Sequence, residues 1–228
     1  MRSMLAALTV TTLAPLAPMA GVHSAQLFAR SFTQPSGAPQ VLMADAFTSG
    51  TDLAARLPQS RGGSTWVQVA GTWSIVTGQV RPPATGSANR LALYNSGVAD
   101  AAMEATFVRA SASALGLVVR DSGVTSPASA VRRLQATVTQ AGVVTLAKVE
   151  GNSTTTLATT TLALAASYRF RLQVVGAAIE VGVDGVTALS VTLSAADQTT
   201  FGANTWQGLV ATGAGSERID DVLVTRWP

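Results

Sequence analysis

Three observations on this sequence predict an all-β fold, with two antiparallel sheets packed face to face. The first is the stretch Tyr168 to Leu193. Tyr168, Phe170, Leu172 and Val174 alternate there with Arg169, Arg171 and Gln173, a period of two that gives a strand one apolar and one wet face. The second is the density of Gly, Asp, Asn and Ser clusters, which break the chain into short strand-length runs. The third is composition. Hydrophobic residues make up 47%, charged residues 12% and aromatics 5%, a balance that suits short strands and many turns rather than a helical bundle.

A chain of 228 residues is long enough to bury one proper core, and all-β domains of this size are commonly single. Its formal charge of +3 is a weak field over such a length. No basic run exceeds Arg132-Arg133, which argues against a nucleic-acid partner. Lys148 stands alone against fourteen arginines, a usage associated with GC-rich coding. Cysteine is absent, which removes thiol catalysis, disulfides and thiolate metal sites. The one histidine, His23, excludes a His-based zinc site, and any Ser-His-Asp arrangement would need it as the base.

Residues 1–40 read differently from the rest. Met1-Arg2-Ser3 precedes an apolar run from Met4 to Val22, broken by Pro15 and Pro18, and then Gly21-Val22-His23-Ser24-Ala25. A basic start, an apolar stretch and small residues at a cleavage point fit a secretory signal peptide. The competing expectation is an arm that docks on a neighbouring subunit. Two prolines weaken an integral membrane span. Gln26 to Gln40, with Pro35, Ser36, Gly37 and Pro39, reads as linker.

The folded domain is expected over residues 41–228. Val41 to Phe47 opens it, and Thr51 to Arg61 reads as loop with one helical turn at Asp52 to Leu57. Trp66 to Val80 reads as two short strands joined through Gly71, with Gly78 at a further bend. Arg81-Pro82-Pro83 ends that unit, since prolines donate nothing to a ladder. Strands follow at Leu91–Tyr94, Ala102–Arg109 and Leu115–Arg120, the last closed by Asp121-Ser122-Gly123. Val131–Thr139 and Val143–Val149 form a hairpin around Gln140-Ala141-Gly142. Glu150 to Ser153 turns into the Thr-rich strand Thr154–Leu164. The meander comes next, turning at Val175-Gly176-Ala177 and at Asp184-Gly185, a dipeptide suited to a two-residue hairpin. Asp197 to Asn204 reads as loop, Trp206–Ala211 as a strand, Gly213 to Ser216 as a turn and Ile219–Thr225 as the last strand.

Several phrases in this order resemble the concanavalin A-like lectin/glucanase superfamily, in particular its laminin-G-like jelly rolls. They are Asp45-Ala46-Phe47, the unit from Trp66 through Trp73 to Gly78, and Gly116-Leu117-Val118-Val119-Arg120. Further on come Val143 to Lys148, the hairpin from Gly176 to Gly185, and Gly208-Leu209-Val210 with Ile219-Asp220-Asp221-Val222. They span Val41 to Trp227. The resemblance implies a two-sheet antiparallel jelly-roll sandwich preceded by an irregular N-terminal arm or leader. Such modules bind glycans or proteins, or serve as structural appendages.

Some members of that superfamily cleave β-glucans with Glu-x-Asp-x-x-Glu on one strand. This sequence lacks the pattern. Glu180 and Asp184 come nearest, but Gly182 lies between them and Asp184 is committed to a turn, so no catalytic residue is expected. A calcium site could use Asp45, Asp220 and Asp221 if first and last strands pair, although turn capping is the commoner work of Asp. Sugar binding needs an exposed ring. Trp66 and Trp73 fit the core, which leaves Trp206, Tyr94 and Trp227, with Trp206 and Tyr94 as the ligand candidates. Arg120, Arg169 and Arg171, with Arg132 and Arg133, would form a basic strip if their strands were neighbours. Asn152-Ser153-Thr154 fits a glycosylation sequon.

The expected function is a non-catalytic structural or adhesion protein of a phage virion, in its tail or capsid decoration. It would contact other virion subunits, or a second copy of itself, through the N-terminal arm and host-surface glycans through the jelly roll. A secreted bacterial glycan-binding module is the alternative, and a diverged glycosidase ranks below it. No cofactor is expected beyond the calcium option.

Overall fold

The structure is a computed structural model that describes residues 39–54, 56–60, 64–82, 90–109, 114–123, 128–212 and 217–226. The expected arm or leader, the turn at Gly213 to Ser216 and Trp227 lie outside these residues. The described strands begin with β1 (Gln40–Asp45), β2 (Gln59–Ser60), β3 (Val67–Ala70), β4 (Ser74–Val76) and β5 (Gln79–Arg81). Next come β6 (Arg90–Asn95), β7 (Ala101–Val108), β8 (Ala114–Asp121), β9 (Arg132–Val138), β10 (Val143–Glu150) and β11 (Ser153–Thr161). The meander supplies β12 (Ser167–Val175), β13 (Ala178–Val183) and β14 (Val186–Thr192). A helix, α1 (Ala195–Phe201), precedes β15 (Trp206–Thr212) and β16 (Arg218–Arg226).

These form two antiparallel sheets. One runs β14-β13-β12-β7-β16-β1-β2, with β4 and β5 joined to it through β16. The other runs β11-β10-β9-β8-β15-β6-β3. First and last strands do pair, from Gln40↔Arg226 to Asp45↔Val222.

Alternation builds the core. Leu117 and Val119 of β8 and Leu134 and Ala136 of β9 meet Phe107 of β7 and Phe170 and Leu172 of β12 in one buried cluster. Phe107 stacks on Phe170 at 5.2 Å between centroids and meets Tyr168 edge-on at 6.0 Å. Each such ring is worth about 1.5–3 kcal/mol on burial. The meander has the expected three strands and two turns, and Asp184 (φ 49°) and Gly185 (φ 81°) both take the left-handed conformation of a type I′ turn. Asp184 adds a hydrogen bond that accepts from the Arg169 N–H at 2.8 Å.

Three expectations need correction. Trp66 to Val80 holds three strands rather than two. Gly71, at φ 76°, lets the chain cross from β3 in one sheet to β4 and β5 in the other. The loop expected from Asp197 is largely α1. Ser194 caps it, its Oγ accepting from the Asp197 N–H at 3.1 Å and donating to Asp197 Oδ2 at 2.8 Å, and Phe201 is buried beneath. Between Asp52 and Leu57 the described residues show a turn, with the Arg56 N–H donating to Leu53 O at 3.1 Å. Asp52 bridges to Ser74, and β2 follows.

Candidate functional site

Along β8, Leu115, Leu117 and Val119 enter the main core. Val118 points the other way, into a smaller buried cluster with Leu91, Leu93 and Val210, against which Val69, Ala70 and Trp206 pack. The alternation then breaks. Val118 pairs with Gly208 but Asp121 pairs with Trp206, so β8 carries one residue more than β15 over this interval. Arg120 absorbs the extra residue at φ 48°, a left-handed bulge that re-aims the side chains on either side.

The bulge separates Arg120 from Asp121. Arg120 turns to the end of the sandwich. Its guanidinium donates to Asp100 Oδ1 at 2.6 Å, Gly176 O at 2.8 Å and Ala99 O at 3.3 Å. Asn204 holds the bulge by donating to Arg120 O at 3.2 Å. Asp121 takes the outer face instead. It joins a row of register neighbours in which Trp206 stands between Asn95 of β6 and Asp121 of β8, with Arg133 and Gln135 of β9 beyond.

Asp121 is 1% exposed. Its Oδ1 accepts from the Gly123 N–H at 2.7 Å, whereas Oδ2 is buried without a hydrogen-bond partner. Burial pushes the carboxyl up to about 6, against the opposing pull of the Gly123 N–H and the Arg133 charge. Burial also holds the Arg133 guanidinium below its usual range, and Asp121 only partly offsets this. Arg133 Nε donates to Gln135 Oε1 at 3.0 Å. Trp206 is half-buried, and its indole rests on Gly123, where a Cβ would lie 2.4 Å from Nε1. Gly123 also has φ 67°, so both space and backbone require glycine there.

The other expected site residues fall elsewhere. Tyr94 is buried at 1% exposure, its ring 6.2 Å from Trp66, and offers a ligand no open face. Arg169 and Arg171 lie on the wet face of β12 in the other sheet. Arg169 is paired to Glu104, and Arg171 is in register with Glu104 and Gly182. Arg132 and Arg133 belong to the seven-stranded sheet and Arg120 to neither face, so the arginines form no single strip.

The three candidate calcium ligands are likewise engaged. Asp45 is buried and accepts from Arg56 Nε at 2.7 and 2.9 Å, Trp66 Nε1 at 3.1 Å and the Phe47 N–H at 3.0 Å. Asp221 sits in a bulge at φ 49°, its N–H donating to Asp220 Oδ1 at 2.8 Å. Burial raises the Asp220 carboxyl, helped by its acidic neighbours Asp221 and Asp45. Among the described residues no three His, Cys, Asp or Glu side chains are placed to hold a metal. Glu180 faces Gln173 and Ser190 on the outer face of the nine-stranded sheet, away from Asp121.

No protein-family model matches the sequence, and no curated protein sequence matches it. Solved structures do match. A Bacillus subtilis protein of unknown function with a galectin-like fold superposes with a TM-score of 0.60 at 13% identity, covering 84% of this chain and 97% of that one. The carbohydrate-binding module CBM66 of Bacillus subtilis gives 0.53 at 15% identity, covering 70% and 94%. The Bacillus licheniformis β-glucanase gives 0.55 at 10% identity, covering 85% and 100%. The chain has the concanavalin A-like lectin/glucanase fold. Binding modules and hydrolases share this fold, so the activity has to be argued from the side chains. None of the described helices is long and apolar enough to cross a membrane.

Proposed function

We propose that the protein binds glycan without cleaving it, through the row Asn95, Trp206, Asp121 and Arg133 on the outer face of the seven-stranded sheet. One observation carries this reading: among the described aromatic residues Trp206 is the one whose ring is not buried, and it stands between polar groups. A sugar presents an apolar face to a ring and hydroxyls to its sides. Asp121 Oδ2 supplies an acceptor that no protein donor fills, and Arg133 and Asn95 supply donors. Asp121 is too enclosed to meet a ligand unless a neighbour moves. Trp206, half-buried and resting on Gly123, is the neighbour that would move.

Support for the non-catalytic part comes from carboxylate placement. Asp121 is the one acidic residue among the described strands of that outer face, whereas glycosidic hydrolysis employs two. The named carbohydrate-binding module of the same fold supports the ligand class. The test is a glycan microarray probed with the wild-type chain and with Trp206→Ala. Retention of a defined set by wild type, lost in the variant at unchanged thermal midpoint, supports the reading. Equal retention by both chains sinks it.

Within this reading the protein serves adhesion on a phage virion, with secretion from a bacterium as the rival setting. The low charge, the absence of cysteine and the apolar N-terminal run support the first. The intact mass of the native protein decides. A full-length chain fits an assembly arm, and loss of the residues up to Ser24 or Ala25 fits a cleaved signal peptide.

A further inference from the structure

The Thr-rich strand β11 takes no part in the proposed glycan site. It closes one edge of the seven-stranded sheet, so among the described residues one side of its backbone has no strand to pair with. Exposed edges invite pairing with another chain, and natural proteins blunt them with short strands, charges, prolines or bulges. The other edges obey this in part: β2 has two residues and β3 has four. β11 has nine, Ser-Thr-Thr-Thr-Leu-Ala-Thr-Thr-Thr, with no charge and no proline. β14, which packs beside it, ends the other sheet and is also uncharged.

β11 has one bulge, and the sequence is symmetric about it. Leu146 pairs with Ala158 and Ala147 with Thr156, so Leu157 is the extra residue. Thr154, Thr156, Thr159 and Thr161 therefore share the face of Val149, Ala147, Thr145 and Val143. Thr155 and Thr160 take the opposite face, opposite Lys148 and Val144, and Leu157 and Ala158 pack on the main core. A twofold axis between Leu157 and Ala158 matches every residue to one of the same face. Thr154 then meets Thr161, Thr155 meets Thr160, Thr156 meets Thr159, and Leu157 meets Ala158. Six of the eight resulting pairs are Thr–Thr, a favourable cross-strand combination, and the two bulges coincide.

We propose that β11 pairs antiparallel with β11 of a second copy of this chain about that axis, joining two seven-stranded sheets into one. The occupant is another copy because the sequence complements itself under a twofold, as an isologous interface requires, and because neither edge on this side of the sandwich carries a charge to repel its twin. This inference does not depend on the glycan site.

Sedimentation velocity of the full chain at tens of micromolar tests it, and the expected species is a dimer. Thr156→Lys with Thr159→Lys sets lysine against lysine across the axis and should give a monomer with a wild-type thermal midpoint. Thr156→Lys with Thr159→Glu sets opposite charges there and should stay dimeric until high salt screens them. Because the chain has no cysteine, Thr156→Cys with Thr159→Cys reports this register alone, and oxidation should yield a covalent dimer. A wild-type monomer, a dimer that survives the two lysines, or a double-cysteine chain that does not cross-link would each overturn the proposal.

Discussion

Asp45 and Asp121 are both buried carboxylates at strand ends, 3% and 1% exposed, yet they are finished differently. Asp45 is saturated. Arg56, Trp66 and the Phe47 N–H all donate to it, and Arg56 in turn lies 5.6 Å over the Phe47 ring. Asp121 has one oxygen capped by Gly123 and the other left without a donor, beside an arginine that is itself desolvated. A fully satisfied buried charge ties a structure together, whereas an unsatisfied one costs stability and persists where function uses it. Asp45 on this comparison is a fastener for the first strand, whereas Asp121 keeps an open acceptor, the one that the proposed glycan site would use.

The largest effect expected from breaking this comparison is on the fastener. Asp45→Ala should destabilise the domain by about 3–5 kcal/mol, the usual cost of removing one partner of a buried pair. Urea unfolding measures it, and a loss under about 1 kcal/mol would mean the network carries no load.

Asp121 should behave in the opposite sense. Its carboxyl titrates higher in the folded chain, about 6 against an ordinary 3.8. The folded state thus holds the proton more tightly, and stability present below pH 4 is lost as pH rises to about 6. That shift corresponds to roughly 3 kcal/mol at most. Asp121→Asn should abolish this slope and be more stable than wild type by roughly 1–3 kcal/mol at pH 8. Unfolding curves across the pH range check both the sign and the window.

A smaller effect belongs to the support beneath the ring. Gly123→Ala puts a Cβ into Trp206 and strains a positive φ, costing about 1–3 kcal/mol and shifting the Trp206 emission. Near-zero change in both readouts would mean the indole does not rest there. The smallest effect is expected at Arg171, on the wet face of the other sheet. Arg171→Ala should change stability by no more than about 0.5 kcal/mol and leave glycan retention unchanged.

The sequence shows the fold more clearly than the site. The meander is legible because alternation through β12 and β13 agrees with the Asp184-Gly185 turn, although a bulge at Ala188 breaks it in β14. α1 is not, because seven residues give no helical period and only Ser194 and Asp197 announce its start. Trp206 is legible as a ring entering a strand after a loop. Tyr94 misleads because Leu91-Ala92-Leu93-Tyr94 is apolar throughout, so alternation cannot say which face the ring takes. The arginines mislead for another reason. β9 and β12 each show a wet face, but only the strand order places those faces on different sheets. Asp121 reads as a turn residue, and through its bond to Gly123 it is one. The role proposed for it depends on a bulge created by pairing with β15, distant in sequence, and nothing local to Asp121 announces that.

The most direct measurement is glycan binding by Asp121→Asn beside wild type at pH 7.5, on the glycans that the wild-type chain retains. The account predicts a variant that is more stable yet binds at least about tenfold more weakly, since an amide cannot replace the charged acceptor. A variant that binds as tightly as wild type would remove Asp121 from the site, leaving its unsatisfied oxygen without a purpose.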